Sequence, residues 1–398
     1  MVPGILDGVR VIDMGHFVAV PSAAVVLGDW GADVIKVEPL AGEPQRGVMA
    51  LASTPVNWRF EVHNRNKKSL ALDLRTESGK EVLHRLAVTS DVFMSNYQAA
   101  ALRAMEMDYV TLSRLNPGLV YGLVTAYGTS GPDRERRGFD LAAAWAGSGI
   151  QHLLAESDGP PPQQRGGMMD RTAGFHLVAG ILAALLNRGK TGEGQLVECS
   201  LYHSGVWTLA AGLQVSLGGL PLAIHDRSRA VNPLVNTYRT ADGRWVQLAM
   251  LQSDLSWHDF CLALDRTDLE NDERFGDMLL RAEHGEELVA ILDGAFATRT
   301  AAEWDERLRA NDCIFSLVRT PEEVIADPQA IAAGFFAPVE HPTAGETQLI
   351  ATPVSFRQRP ATVRTAAPEV GQHTEELLID LGYSWEDIAR LKEMGVIL

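Results

Sequence analysis

The 398-residue sequence predicts an α/β fold with a parallel sheet and a smaller second domain. Three observations lead there. The chain opens as strand, helix, strand. Short β-branched runs then alternate with helical stretches as far as about residue 200. From about Gly218 the pattern changes to a hairpin followed by Glu- and Leu-rich helices.

Taken in order, residues 9–14 (VRVIDM) form the first β-branched run. Residues 21–31 (PSAAVVLGDWG) carry Pro near the start and Gly at the end, the punctuation of a helix. Residues 33–37 (DVIKV) make the next strand, so the crossover is right-handed and the pairing parallel. Residues 69–74 (SLALDL) place Leu70, Leu72 and Leu74 on one face. Residues 77–88 are helical, 91–96 (DVFMSN) and 119–126 (LVYGLVTA) extended. Residues 147–167 hold a proline run and many polar residues, which predicts a loop. A helix is expected over 171–187, a turn cluster over 189–195 (GKTGEGQ), and a last strand over 196–201 (LVECSL). Asp242-Gly243 marks a hairpin turn within YRTADGRWVQLAM. Helices occupy roughly 254–310, and the smaller domain spans about 225–325. Two helices close the chain, the second capped by Ser384 with Asp387 three residues on.

The net charge of -16 disfavours nucleic acid and anionic membranes as partners, because both require broad basic surfaces. Cys199, Cys261 and Cys313 are dispersed, with no zinc spacing, so no metal is expected and a reducing cytoplasm fits best. The opening residues lack the regions of a signal peptide. The longest apolar helical stretch, about 175–186, is shorter than the ~20 residues a membrane span needs.

Asp170 is the first chemical candidate. It stands in GGMMDRTAG just before an apolar helix. One reading is an N-cap. The other is a nucleophile, kept ionised by the positive helix end and approached closely past the two glycines. Arg65, Lys67, Lys68 and Arg75 bracket the SLALDL strand. They read either as a solvated strand entrance or as a phosphate clamp. Gly189-Lys190-Thr191 lacks the earlier glycine of a P-loop, Ala184 standing there, and it ends a helix. The first loop, GHFVAVP, has no dinucleotide fingerprint, which disfavours a nicotinamide dehydrogenase. His16, His152 and His176 fit loop or core roles.

Together the segments LDGVRVIDMG, LGDWGADVIKVEP, NRNKKSLALDL, GTSGPDRERRGFD, GGMMDRTAG, KTGEGQLVECSL, YRTADGRW and GQHTEELL resemble the class III CoA-transferase family. That family includes formyl-CoA transferase, carnitine CoA-transferase and alpha-methylacyl-CoA racemase. The resemblance implies a Rossmann-like large domain at 1–215 and 326–398. An inserted small α+β domain would occupy 225–325, and two chains would form an interlocked homodimer. It implies that Asp170 attacks an acyl-CoA thioester. No permanent cofactor is implied, the coenzyme A thioester and a carboxylic acid being substrates. The nucleotide would be held by Leu72, Asp73, Leu74 and Arg75, by Asn96 and Tyr97, and by Arg137, with Met105 near the adenine. Arg103 would stand in for an arginine expected at Ala104.

Departures narrow the activity. The racemases carry His in the segment matching Gly138-Phe139-Asp140, and Phe139 cannot shuttle a proton. Formyl-type members carry Gln near Val18, Arg near Pro39 and a glycine-rich small-domain loop, none of which is present. Trp145 and Met168-Met169 point to a bulkier acid than formate, or simply to packing. The readings carried forward are a CoA-transferase, a racemase or isomerase on the same fold, intramolecular transfer within a dicarboxylic acid, a non-catalytic CoA-binding protein, and a dehydrogenase.

Overall fold

The computed structural model describes residues 4–48, 54–155 and 159–398. Part of the expected loop, residues 156–158, lies outside the described residues, as do residues 1–3 of the opening segment. The chain divides into two compact units. One comprises Met1–Gln151, Gln163–Leu222 and Gln329–Leu398, the other His152–Pro162 and Ala223–Pro328.

The first unit is built on six parallel strands: β1 Arg10–Met14, β2 Asp33–Glu38, β3 Lys67–Ala71, β4 Val92–Ser95, β5 Val120–Thr125 and β6 Leu196–Ser200. Their order is β3-β2-β1-β4-β5-β6. Ile12 pairs with Ile35 on one side and Phe93 on the other. Alternate residues face opposite sides of the sheet. Val11, Val34, Val92 and Val120 pack with the helices Ala19–Asp29 and Met168–Thr191. Ile12, Ile35, Phe93 and Tyr121 pack with the helix Glu77–Val88 and with the two tail helices, Thr374–Asp380 and Trp385–Glu393. Covering both faces explains why these strands read as nearly continuous apolar runs. Ser384 and Asp387 form the expected capping box.

Three boundaries differ from expectation. The third strand begins at Lys67 and ends at Ala71, because the Leu72 amide still bonds Glu38 but the Asp73 amide turns to Val396. The first helix starts at Ala19, two residues before Pro21, which then occupies its first turn. The long helix begins at Met168 and runs to Thr191, ending at left-handed Gly192, so the turn cluster starts only there. At 24 residues, with a mean hydropathy of 1.3 over its most apolar window, this helix is long and apolar enough to cross a membrane by length and composition. The 175–186 stretch understated it. It packs against β5 and β6 and buries Leu177, Val178 and Ile181.

The second unit carries an antiparallel sheet of β7 Thr237–Arg239, β8 Trp245–Leu248 and β9 Phe315–Leu317. Gly243, with φ of 78°, makes the β7–β8 turn. Helices spread over residues 253–310, and Tyr238, Phe296 and Trp304 stack in the core. A hairpin, β10 Phe336–His341 and β11 Gly345–Ile350, belongs to the first unit and carries no period that marked it in the sequence.

Candidate active site

The strand order reverses between β1 and β4, the position where parallel sheets of this kind open a crevice at their carboxyl ends. The loop leaving β1 there, residues 15–18, is gripped from several sides. Asp13 accepts from the Gly15 amide at 2.9 Å, and Lys36 donates to the Gly15 carbonyl at 3.3 Å. Asn96, just past β4, accepts from the His16 amide (3.0 Å) and donates to its carbonyl (2.9 Å). Glu43 accepts from the Phe17 amide at 3.0 Å. Phe17 itself adopts φ of 61°, a left-handed conformation that bulky residues rarely take. Val18 lies beside the start of the long helix: a Cβ added at Gly167 would come within 3.4 Å of both its methyl groups.

Asp170 sits at this edge, in the first turn of the helix rather than before it. It is not the cap. The N-cap position is Gly167, left-handed like Gly166, and the cap carboxylate comes from Asp140, thirty residues upstream. Asp140 accepts from the amides of Met169 (3.1 Å) and Asp170 (3.4 Å), and its other oxygen accepts from Gln164 (2.5 Å). Gln164 in turn accepts from the Met168 amide at 3.1 Å. These partners satisfy helix-end amides that would otherwise be open. That explains why the helix starts three residues early.

The electrostatics also reverse an expectation. The Asp170 carboxyl is pushed up to about 7, first by burial and second by the negative Asp140, with Arg171 opposing. Burial likewise raises Asp140 above the usual carboxylate range. The helix end therefore does not hold Asp170 fully ionised, because burial and the neighbouring Asp140 charge outweigh its field. Arg171 donates to the Gly166 carbonyl at 2.5 Å and reaches His63 Nε2 at 3.1 Å. His63 Nδ1 lies 2.8 Å from the Arg59 carbonyl, so the ring is assigned a proton there and an acceptor at Nε2. Burial and the Arg171 charge push this histidine down to about 3, so it is neutral.

Of the nucleotide-binding candidates, Leu72 is buried while Asp73, Leu74 and Arg75 follow the end of β3. Arg75 is 89% exposed at its side chain and is paired with Asp73 at 2.7 Å. Asn96 and Tyr97 follow β4, and Tyr97 meets His16 edge to face. Arg103 is exposed on the helix Ala99–Ala104, and Met105 is its half-buried C-cap. Arg137 is exposed in the segment leading to Asp140. All but Arg137 thus follow the carboxyl ends of β3 and β4.

The four-residue basic cluster does not stay together. Arg65 is buried and makes two bonds to Asp29. Lys67 is buried and donates to Asp13 (2.7 Å), Asn64 (3.0 Å) and the His63 carbonyl (2.6 Å). Lys68 pairs with Asp33 and Glu376. Neither a solvated entrance nor a phosphate clamp describes Arg65 and Lys67, which are internal struts. Of the residues expected to mark a bulkier acid, Trp145 and Met169 are core, and only Met168 is exposed. Asp140 stood out in the sequence only as the neighbour of the racemase histidine position, and Gln164 and His63 carried no signal. Among the described residues, no group of three His, Cys, Asp or Glu could hold a metal ion.

Comparison with known proteins gives concordant matches. A sequence model described as CoA-transferase family III matches residues 6–374. The chain is 34% identical to (R)-2-hydroxy-4-methylpentanoate CoA-transferase of Clostridioides difficile, over 99% of each chain. It is 33% identical to cinnamoyl-CoA:phenyllactate CoA-transferase of Clostridium sporogenes, over 97% of this chain and 96% of that one. The crystal structure of Rv3272 from Mycobacterium tuberculosis superposes with a TM-score of 0.84 at 31% identity, covering 94% of this chain and 99% of that one.

Proposed function

Because the chain belongs to CoA-transferase family III, we propose that it moves coenzyme A from an acyl-CoA to a carboxylic acid through an aspartyl-CoA thioester on Asp170. The observation that carries this reading is the placement of Asp170. It is a half-buried carboxylate in a first helical turn, beside the loop at the sheet's switch point, with its backbone amide held by Asp140. An ionised Asp170 attacks the thioester carbonyl, the C–S bond breaks and CoA leaves as thiolate, giving a mixed anhydride. The thiolate attacks the aspartyl carbonyl, forming the Asp170–CoA thioester and releasing the first acid as carboxylate. The incoming carboxylate attacks that thioester and expels the thiolate again. The thiolate then takes the new acyl group and frees Asp170. No water enters, so the thioester energy is retained.

In this reading Leu72, Asp73, Leu74, Arg75, Asn96, Tyr97, Arg103, Met105 and Arg137 hold the coenzyme A portion. The exposed guanidinium groups of Arg75, Arg103 and Arg137 suit phosphates in a chain whose net charge is -16. The large domain is 1–215 with 326–398, the small one an insertion at 225–325, and the active form an interlocked homodimer. Support for the dimer comes from Trp207, Leu217 and Leu220, large apolar side chains left exposed in the first unit. The three free thiols fit a reducing cytoplasm. Racemisation is disfavoured by Phe139, which offers no proton.

The test is covalent trapping. The protein is incubated with an acyl-CoA, treated with hydroxylamine or borohydride, and mapped by peptide mass spectrometry, with Asp170→Ala as control. Modification at Asp170, lost in the variant, is expected. Binding of acyl-CoA without modification would sink the covalent mechanism.

A further inference from the structure

The loop that approaches Asp170 carries an aromatic side chain at an unusual cost in backbone conformation. Phe17 is left-handed at φ of 61°, and its amide is held there by the buried Glu43, which pairs in turn with the buried Lys36 at 3.1 Å. The ring this presents meets Phe139 edge to face, with centroids 5.4 Å apart. Phe139 is 64% exposed and directly precedes Asp140, the residue that bonds the Asp170 amide. Its carbonyl accepts from both Ala142 and Ala143 as the chain enters a π-helical turn, Leu141–Ala146, a rare geometry that is frequent at functional sites. Met168, 53% exposed, stands two residues before the nucleophile, and Val18 lies against Gly167.

Apolar side chains thus gather at this helix start: Val18 against Gly167, Phe17 beside it in the β1 loop and paired with Phe139, and Phe139 adjoining the Asp140 that holds the Asp170 amide. Arg171 beside it donates to the Gly166 carbonyl and to the neutral His63 ring. An acid with an uncharged, bulky body would remove the two rings and Met168 from water.

Building on the transferase reading, we propose that the Phe17–Phe139 pair is the specificity wall of the acid site, selecting acids with a branched-alkyl or aryl body over acetate.

The experiment loads Asp170 with CoA from butyryl-CoA, then measures discharge by 4-methylpentanoate, 3-phenylpropanoate and acetate. Wild type should show kcat/KM at least about tenfold higher for the two apolar acids, the discrimination a few apolar contacts provide. Phe139→Ala should lower the ratio of 4-methylpentanoate to acetate about tenfold, chiefly through KM. Phe17→Gly is the second variant, because glycine suits the left-handed backbone and keeps the loop folded while deleting the ring. It should lower the same ratio. Labelling of Asp170 with no apolar preference, or an unchanged ratio in both variants, would overturn the wall and leave the transferase reading standing. A change in oligomeric mass in place of a change in ratio would make Phe139 a subunit contact and overturn it too. Failure of wild type to be labelled by any acyl-CoA would remove the transferase reading itself.

Discussion

At the scale of single residues, two carboxylates share one helix end. In the proposed mechanism Asp170 attacks as the ionised form, and its carboxyl is raised to about 7. Its labelling by acyl-CoA should therefore rise with pH, about tenfold between pH 6 and 8 for a single group titrating near 7. Asp140→Asn removes the neighbouring negative charge, the second of the two causes of that rise. The midpoint should move to lower pH, and labelling at pH 6 should gain relative to pH 8. A midpoint unmoved by the substitution would assign the shift to burial alone. The buried ion pairs give a second prediction. Asp13→Asn leaves Lys67 buried beside neutral acceptors, and loss of one partner of such a pair costs about 3–5 kcal/mol. Denaturant melts would show it. Burial already lowers Lys67 to about 8, so the variant should also become less stable as pH falls, since charging an unpaired buried lysine is what costs.

Among elements, the long helix Met168–Thr191 decides most. It carries Asp170 at its start, fills one face of the sheet, and crosses the helix Ala19–Asp29 closely at Gly174. A Cβ there would lie 2.5 Å from Ser22 Oγ and 2.8 Å from the Ala19 carbonyl. In an open helix Gly→Ala stabilises by about 1 kcal/mol. Here the sign reverses: Gly174→Ala should cost about 1–3 kcal/mol through overpacking. It should also slow labelling of Asp170, which sits one turn away. Stabilisation on substitution would show that the two helices can separate without loss.

For the molecule as a whole, Trp207, Leu217 and Leu220 are large apolar side chains left exposed, and in the proposed dimer a second chain covers them. Sedimentation equilibrium should give twice the 43.3 kDa chain mass. Leu217→Glu, at a side chain 80% exposed, should shift it toward one chain without changing the stability of the monomer by more than about 0.5 kcal/mol. A wild-type mass of 43.3 kDa would dismiss the dimer.

The parallel sheet with its six strands, three of the helices in the first two hundred residues, the β7–β8 hairpin and the capped tail helix were legible in the sequence; the short helices Trp58–Asn64, Ala99–Ala104 and Tyr109–Leu115 were not. The legible features follow from local period and punctuation: β-branched runs between helices, Asp242-Gly243 at a turn, Ser384 three residues before Asp387. The family was legible too, because its segments recur in order along the chain. The β10–β11 hairpin, the π-helical turn after Asp140 and the true start of the Asp170 helix were not. Nor was the fate of the basic cluster, which looked like one surface and became a set of internal ion pairs. The physical reason is the same in each case. Whether Asp170 caps or reacts, and whether Lys67 meets water or Asp13, depends on partners tens of residues distant that only the packed sheet brings within hydrogen-bond reach. Local sequence settled the elements with a clear period or punctuation; the tertiary structure alone decided which charges are buried together, and so where Asp170 titrates.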